Sequence, residues 1–310
     1  MLFDGDRGRV LFPAAVSEHG GLLMDSQLRT EDDRIMTRDL FSPAHRRFLL
    51  SVALFCTLMG LGSAGFAQDG KDRQPASIDP QHPLAPALEQ AYKARDVLAG
   101  VQDYTAVFTK QEMFGAQLKK ATMTMKFREE PFSVYMLFGK PYEGREVIYV
   151  AGANKNLLLA HDTGVRAIIG GTVSLAPDSD QAMEDNHYPI TMIGLRNMLD
   201  RIITQWEAEG QYGETNVRYF PNATLGKEVS CRVIESSHPQ PRKQFKFQKT
   251  LLYIDKQSGL AIRVEQYAFP KNGEKQAPLV EEYTYMSVKT NVGLTDVDFD
   301  AKNSSYAFPQ

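Results

Sequence analysis

The sequence predicts an α+β protein built on a strongly curved antiparallel sheet with helices on one side, and one such geometry is a half-barrel whose concave face the helices cover. The first observation is the order of elements: one helix, a run of strands joined by short turns, a second helix and further strands. Strands that succeed one another through short turns pair antiparallel. The second observation is that both strands within residues 131–152 are apolar on both faces. A strand covered on one side alternates apolar with polar, so these strands need cover on two sides.

The first helix is predicted over residues 84–99, where apolar side chains recur at helical spacing and Gly100 ends the run. A series of strands follows, since side-chain character alternates with a period of two. The last pair of this series is a hairpin whose turn is predicted at Asp162 to Gly164. The stretches that contain these strands are residues 102–115, 119–129, 131–152 and 154–177.

A second helix is predicted with Thr191 as its N-cap and Gly210 at its end. Its apolar positions are Ile193, Leu195, Met198, Leu199, Ile202 and Ile203. Strands resume within residues 228–237, 244–270 and 279–293. Because no internal repeat divides this series, we expect a single domain over about residues 84–310.

The first 67 residues are predicted to be a leader rather than part of the fold. A basic start and an apolar run occupy about residues 46–61, and small residues precede a cleavage site between Ala67 and Gln68. The run is shorter than the roughly 20 residues of a spanning helix, so a cleaved signal peptide is favoured over an uncleaved anchor. Met36 fits as the initiator, with an unusually long leader as the alternative. General secretion is favoured over twin-arginine export, and residues 68–83 are expected to be a flexible linker.

Composition and motifs narrow the function. A net charge of -3 gives no electrostatic signal for nucleic acid. Cys56 lies in the leader, so Cys231 has no disulfide partner and is interpreted as a small apolar residue within a strand. The acidic residues 178–187 match no calcium or zinc template, and no nucleophile elbow, metalloprotease or phosphate-loop motif is present. We therefore expect no catalytic residues, no metal and no cofactor.

The inner side of the sheet has two possible uses. Barrels of moderate size are either filled by their own side chains or hold a ligand. A packed interior is the default and is favoured from the pattern alone, although methionines also suit an adaptable apolar surface. The methionines concerned are Met123, Met125, Met136, Met183, Met192 and Met198.

Several stretches resemble known families. VQDYTAVFTKQE, after an amphipathic helix, resembles the opening of the LolA/LolB-like lipoprotein-carrier superfamily, as does a basic strand end before Pro131. FREEPFSVYMLF, GREVIYVAGAN, SLAPDSDQAM, HYPITMIGLRNML and LVEEYTYMSVKTNVGLTDVDFD resemble the DUF1571 family of exported bacterial proteins. This resemblance covers about residues 90–308.

The superfamily resemblance implies an unclosed antiparallel barrel with a helical lid over an apolar cavity, which raises the cavity interpretation above the packed core. In the carrier family an arginine at the end of the corresponding strand contacts the lid, and Arg128 is the matching residue. Two glutamates, Glu129 and Glu130, separate it from Pro131 here, which departs from the family pattern. The residues expected to line the cavity are Met123, Met125, Phe127, Val134, Met136, Phe138, Ile193 and Met198.

Two functions are therefore considered. The first is a non-catalytic periplasmic carrier or chaperone that holds the acyl chains of a lipid or lipoprotein in this cavity. Such a carrier would be a monomer and would exchange cargo with a membrane-protein donor or acceptor. The alternative is an envelope sensor or scaffold that binds a protein partner through the sheet surface.

Overall fold

The computed structural model describes residues 78–162, 171–227, 229–271 and 276–309. The chain divides into two units, Met1–Ala67 and Gln68–Gln310, and every described residue belongs to the second. The predicted signal peptide, the initiator Met36 and the cleavage site between Ala67 and Gln68 lie outside the described residues. No helix within them has both the length and the apolar character to span a bilayer.

Eleven strands form one antiparallel sheet in the order β6-β5-β4-β3-β2-β1-β11-β10-β9-β8-β7. Two meanders build it, β1 to β6 and β7 to β11, and they join where β1 pairs with β11. Within the described chain β6 and β7 are the two edges, so the sheet is not closed, as predicted. The strands are β1 (Asp103–Phe114), β2 (Gln117–Arg128), β3 (Ser133–Phe138), β4 (Glu146–Val150), β5 (Leu158–His161), β6 (Thr172–Leu175), β7 (Asn216–Leu225), β8 (Val229–Ser237), β9 (Lys249–Asp255), β10 (Ala261–Tyr267) and β11 (Leu279–Thr290).

The described helices are α1 (Ala85–Leu98), the single turn α2 (Asp180–Met183) and α3 (Leu195–Glu209). Helices α1 and α3 pack on each other and share one continuous hydrophobic core with the inner face of the sheet. Trp206 of α3 is fully buried, and its indole N–H donates to Ser236 Oγ of β8 at 2.9 Å. The predicted helical cover of one sheet face is therefore present.

The start of α3 differs from the prediction. Thr191 lies in a 3-10 turn, Ile190–Met192, and Gly194 is the N-cap of the helix. Gly194 has φ +115°, and a Cβ there would lie 2.8 Å from two ring carbons of Phe127. Only glycine fits so close to the sheet in this conformation, and the sequence pattern around Thr191 carries no sign of that contact.

Two buried tyrosine hydroxyls hold this end of the helix. The N–H of Gly194 donates to Tyr285 Oη, and the N–H of Leu195 donates to Tyr104 Oη, both at 3.0 Å. The first N–H groups of a helix have no partner within the helix, and burying them unpaired is costly. Burial raises the pKa of both tyrosines well above the ordinary value, so both hydroxyls stay protonated.

The outer face of β3 and β4 is covered by the C-terminal strap, residues 291–309, whose short 3-10 helix Asp296–Phe299 packs on both strands. Tyr135 and Ile148 form a second hydrophobic cluster with Phe299 and Phe308 of the strap. Tyr306 stacks on Tyr135 with ring centroids 4.0 Å apart. Strands that are apolar on both faces are thus explained by two different covers, and the sequence prediction supplied only the helical one.

Polar contacts attach the strap along its length. The Asp103 carboxylate accepts hydrogen bonds from the backbone N–H groups of residues 292–294. Lys126 Nζ donates to Asp298 Oδ1 at 2.7 Å. The buried carboxylate of Glu146 accepts from Tyr135 Oη and from the N–H of Ala307. The strap is therefore anchored at its start, middle and end.

Two further differences concern the predicted linker and one strand. The predicted linker ran to residue 83, but Ile78 packs on the hydrophobic core and His82 Nε2 lies 2.8 Å from the carbonyl oxygen of Tyr212. Strand β7 has no counterpart in the prediction, because most of its side chains are exposed on both faces. The predicted turn from Asp162 to Gly164 falls largely on residues outside the described chain.

Replacing Gly194 by alanine should destabilise the protein by about 2–4 kcal/mol, because the new Cβ meets Phe127 and the positive φ becomes strained. Chemical denaturation measures this loss. The matched control is Gly213→Ala, where the added Cβ would have no neighbour within 4 Å. Equal effects of the two changes would contradict the close packing of Gly194.

Candidate functional site

A cavity of about 470 Å³ lies between the inner face of the sheet, helix α3 and the segment that precedes it. We call residues 177–194 the lid segment. The apolar part of the lining comes from both sheet and lid. Its members include Phe108, Ala121, Met123, Met136, Phe138, Val147, Leu158, Ala160, Val173, Leu175, Ile190, Ile193, Met198, Tyr283 and Tyr285.

Strand register gives this inner face a gradient of polarity. Phe108, which lies deep in the sheet, pairs with Met123 on one side and Tyr285 on the other. Two residues further along β1, Lys110 is the inner residue. Two residues further again, Glu112 pairs with Lys119 of β2. The cavity therefore has an apolar end and a charged end, separated by about 13 Å along the strand.

Five of the eight predicted apolar residues line the cavity. The other three, Met125, Phe127 and Val134, are buried in the core and do not reach the lining. The lining residues are Met123, Met136, Phe138, Ile193 and Met198. Whether they bind a ligand stays a prediction.

Sequence reasoning did not select the aromatic residues of the two central strands. Phe108 stacks on Tyr285 with ring centroids 4.6 Å apart, and Tyr283 lies next to them. Their alternation in β1 and β11 was visible in the sequence. The pairing of β1 with β11 was not, since these strands are far apart in the chain.

The described contacts of Arg128 are not with α1, α3 or the lid segment but lie on the outer side of the sheet. This residue follows Lys126 on the outer face of β2, and its Nη1 donates to Asp296 Oδ1 of the strap at 2.8 Å. Its guanidinium also lies over the Phe299 ring at 4.9 Å. A strand alternates its side chains between faces, which accounts for this placement. The strand end is linked to α3 by Glu129 instead, whose Oε2 lies 3.4 Å from Nε of Arg196.

Asp185 is the centre of the first contact between the lid segment and the sheet, the Asp185 latch. Its Oδ1 accepts from Lys119 Nζ, and its Oδ2 accepts from Tyr142 Oη at 2.7 Å. Its backbone oxygen accepts from Lys110 Nζ. The hydrogen bond from Lys119 lowers the pKa of Asp185, so the carboxylate is ionised at neutral pH. Asp185 thus ties the lid to β1, β2 and the turn before β4.

His187 makes the second contact, the His187 latch. Its Nδ1 lies 2.9 Å from Glu281 Oε2, and its Nε2 lies 3.0 Å from the carbonyl oxygen of Met113. Both partners are acceptors, so only the doubly protonated imidazolium satisfies both. The hydrogen bond to Glu281, which is buried, raises the pKa of His187 above 6.5. Tyr188 Oη donates to the other oxygen of the same carboxylate.

Glu112 connects the two latches. Its Oε2 accepts from Lys110 Nζ at 2.6 Å, and its Oε1 accepts from the N–H of His187 and from Tyr283 Oη. Burial is the main cause that lowers the pKa of Lys110, while Glu112 acts in the opposite direction. The charged end is therefore a paired network rather than a row of isolated ions.

This arrangement can hold an apolar chain and orient a polar group at one end. Burial raises the pKa of the Cys231 thiol, so that side chain is a protonated core residue rather than a nucleophile. Among the described residues, no three side chains of His, Cys, Asp or Glu are grouped as a metal site would require. Asp185 and His187, from the acidic stretch noted in the sequence, serve instead as the two latches.

The family model DUF1571, described as a protein of unknown function, matches residues 101–308. No curated protein sequence matches.

Several solved structures are similar in fold. Lipoprotein LppX from Mycobacterium tuberculosis is 12% identical, with 69% of this chain and 99% of that chain covered and a TM-score of 0.41. The MucA/MucB complex of Pseudomonas aeruginosa gives 12% identity, 70% and 61% coverage and a TM-score of 0.39. A LolA superfamily protein from Nitrosomonas europaea gives 11% identity, 69% and 97% coverage and a TM-score of 0.29.

The His187 latch should make stability depend on pH. The pKa of His187 is raised on folding. The charged imidazolium therefore stabilises the folded protein fully below about pH 6.5, and this stabilisation is lost as the pH rises through the raised pKa. We expect the free energy of unfolding of the wild type to exceed that of Glu281→Gln by about 1–3 kcal/mol near pH 6. The difference should be smaller near pH 9. Urea denaturation across this range measures the difference. A difference that stays constant with pH would show that His187 is not charged in the folded protein.

Proposed function

We propose that this chain, which belongs to the DUF1571 family, is a non-catalytic carrier or chaperone that holds an acyl chain of a lipid or lipoprotein in its cavity. The observation that carries this proposal is a cavity of about 470 Å³ with an apolar lining beneath a lid segment. Its volume lies within the roughly 300–1,000 Å³ of ordinary ligand sites.

The lining suits an acyl chain energetically. Each buried methylene contributes about 0.8 kcal/mol, so a chain of moderate length needs few polar contacts to be held. Met123 and Met136 line the cavity from the neighbouring strands β2 and β3, and Met198 lines it from α3. Their unbranched side chains adjust to a flexible guest more readily than branched ones do.

Movement of the lid segment would give a ligand access to the cavity. The segment's described ties to β1, β2 and β11 are side-chain contacts, centred on Asp185 and His187, and it pairs with no strand. Moving it would break these contacts without breaking the sheet. The same feature would let a carrier release cargo to a membrane-protein acceptor.

The place of action follows from the leader. Residues 46–67 predict export by a cleaved signal peptide, which supports a periplasmic location for the domain. We propose that the carrier acts there as a monomer.

Binding of a protein partner is a second candidate, and one feature favours it. Within the described chain β7 is an edge strand, and its adjacent Tyr219 and Phe220 are 43% and 40% exposed. An edge strand can accept a further strand from a partner. The outer face of β3 and β4 is already covered by the C-terminal strap, so an envelope sensor or scaffold would use this edge.

Binding of single-chain amphiphiles should depend on chain length. We expect affinity to rise about fourfold per added methylene, at about 0.8 kcal/mol each, until the chain outgrows the cavity and the gain stops. Competition against a fluorescent fatty-acyl probe measures the series on the purified protein. Native mass spectrometry of protein isolated without detergent identifies any cargo retained.

Filling the cavity should weaken this binding. Ala160→Phe places a ring in the lining, and we expect it to lower affinity for the longest bound chain by about fifteenfold, since space for about two methylenes is lost. Ala116→Phe, in the exposed turn between β1 and β2, is the matched control. No uptake of any chain would count against the carrier and favour the partner-binding candidate.

A further inference from the structure

We propose that the charged end of the cavity is an anion site, that the Asp185 carboxylate occupies it while the lid segment is closed, and that the cargo is a single-chain amphiphile with an anionic head. This inference rests on the proposed function and specifies the ligand class. A carboxylate or a phosphate at the end of the chain would take the place of Asp185.

The first argument is the geometry around Asp185. Lys119 lies on β2 and Tyr142 lies in the turn before β4, and each donates to a different oxygen of the same carboxylate. Two donors that converge on the two oxygens of one carboxylate form a site for that group, whichever molecule supplies it. Both donors line the cavity, so the site is continuous with the space for the chain.

The second argument is how the neighbouring cations are neutralised. Lys110 is paired with Glu112 of its own strand, and Arg145 is paired with Asp162 at the end of β5. Both pairs remain when the lid moves, because all four residues belong to the sheet or its connections. Among the described contacts, the carboxylate that pairs with Lys119 is Asp185 of the lid. Opening the lid therefore leaves Lys119 without its carboxylate partner.

The third argument is the polarity gradient. The inner face changes from Phe108 and Met123 to Lys110 and then to Lys119 within a few residues. An amphiphile placed with its chain against the apolar end brings its head to Lys119 and Tyr142. A head without negative charge would displace Asp185 without replacing its carboxylate. Lys119, which is partly exposed, would then have only water as a partner, which disfavours neutral and cationic amphiphiles.

The test compares amphiphiles that share one chain: dodecanoate, dodecyl phosphate, dodecanol and dodecyltrimethylammonium. Their affinities for the full protein are measured by competition against a neutral fluorescent probe. We expect the preferred anion to bind about tenfold more tightly than dodecanol. Preference for dodecanoate assigns the head as a carboxylate, and preference for dodecyl phosphate assigns it as a phosphate.

Variants locate the site. Lys119→Met should abolish the preference for an anion over dodecanol, and Lys119→Arg should restore most of it. Asp185→Asn removes the internal competitor and should increase the preference about tenfold. A lid that is merely loosened would raise the affinities of all four amphiphiles together, so their ratio separates the two effects. Lys140→Met, an exposed cation outside the lining, is the matched control and should leave the ratio unchanged.

The outcomes distinguish the carrier function from the anion site. Equal binding of all four amphiphiles would leave the carrier intact and overturn the anion site. A preference that survives in Lys119→Met would also overturn it, since the anion would then bind elsewhere. Failure of every amphiphile to bind would overturn the carrier together with this inference.

Discussion

The fold depends on how the first N–H groups of α3 are satisfied inside the protein. These groups cannot bond within the helix, and here they face the buried centre of the sheet. Tyr104 of β1 and Tyr285 of β11 accept their hydrogen bonds, and these strands join the two meanders. One pair of hydroxyls thereby fixes the helix to the seam of the sheet. Gly194 is needed at that point because Phe127 leaves no room for a Cβ.

This anchor also positions the cavity. The lid segment ends at Gly194, so its last residue is fixed over the central strands while the residues before it extend towards the charged end. Side chains below the anchor are apolar, and the inner residues become charged beyond Phe108. An acyl chain that enters the cavity would therefore meet an apolar end at a fixed position and, at the other end, a lid segment attached by ion pairs between side chains. The apolar and charged ends of the cavity are separated because strand register decides which inner residues of neighbouring strands lie side by side.

Local patterns predicted much of the fold and less of the site. Alternation located most strands, and the two-faced character of β3 and β4 showed correctly that both faces need cover. Helical spacing found Met198, and strand spacing found Met123 and Met136, all of which line the cavity. Local patterns do not contain the pairing of β1 with β11, the packing of Gly194 on Phe127 or the path of the strap. Each is a contact between residues far apart in the chain. The lid contact of Arg128 is implied only by the resemblance to the carrier family, and here its face of β2 is covered by the strap.

The two covers of the sheet differ in kind, and this difference bears on function. The strap buries Phe299 and Phe308 against the outer face, and interactions of that kind do not weaken with salt. The lid is attached at its outer part by charged groups, Asp185 with Lys119 and His187 with Glu281, which salt or a change of pH weakens. Lifting the lid segment would break these ion pairs and also uncover Ile190 and Ile193, which pack on the main core, whereas lifting the strap would expose the second hydrophobic cluster. Charged groups make the outer attachment of the lid segment, and this is the cover that the proposed carrier would open.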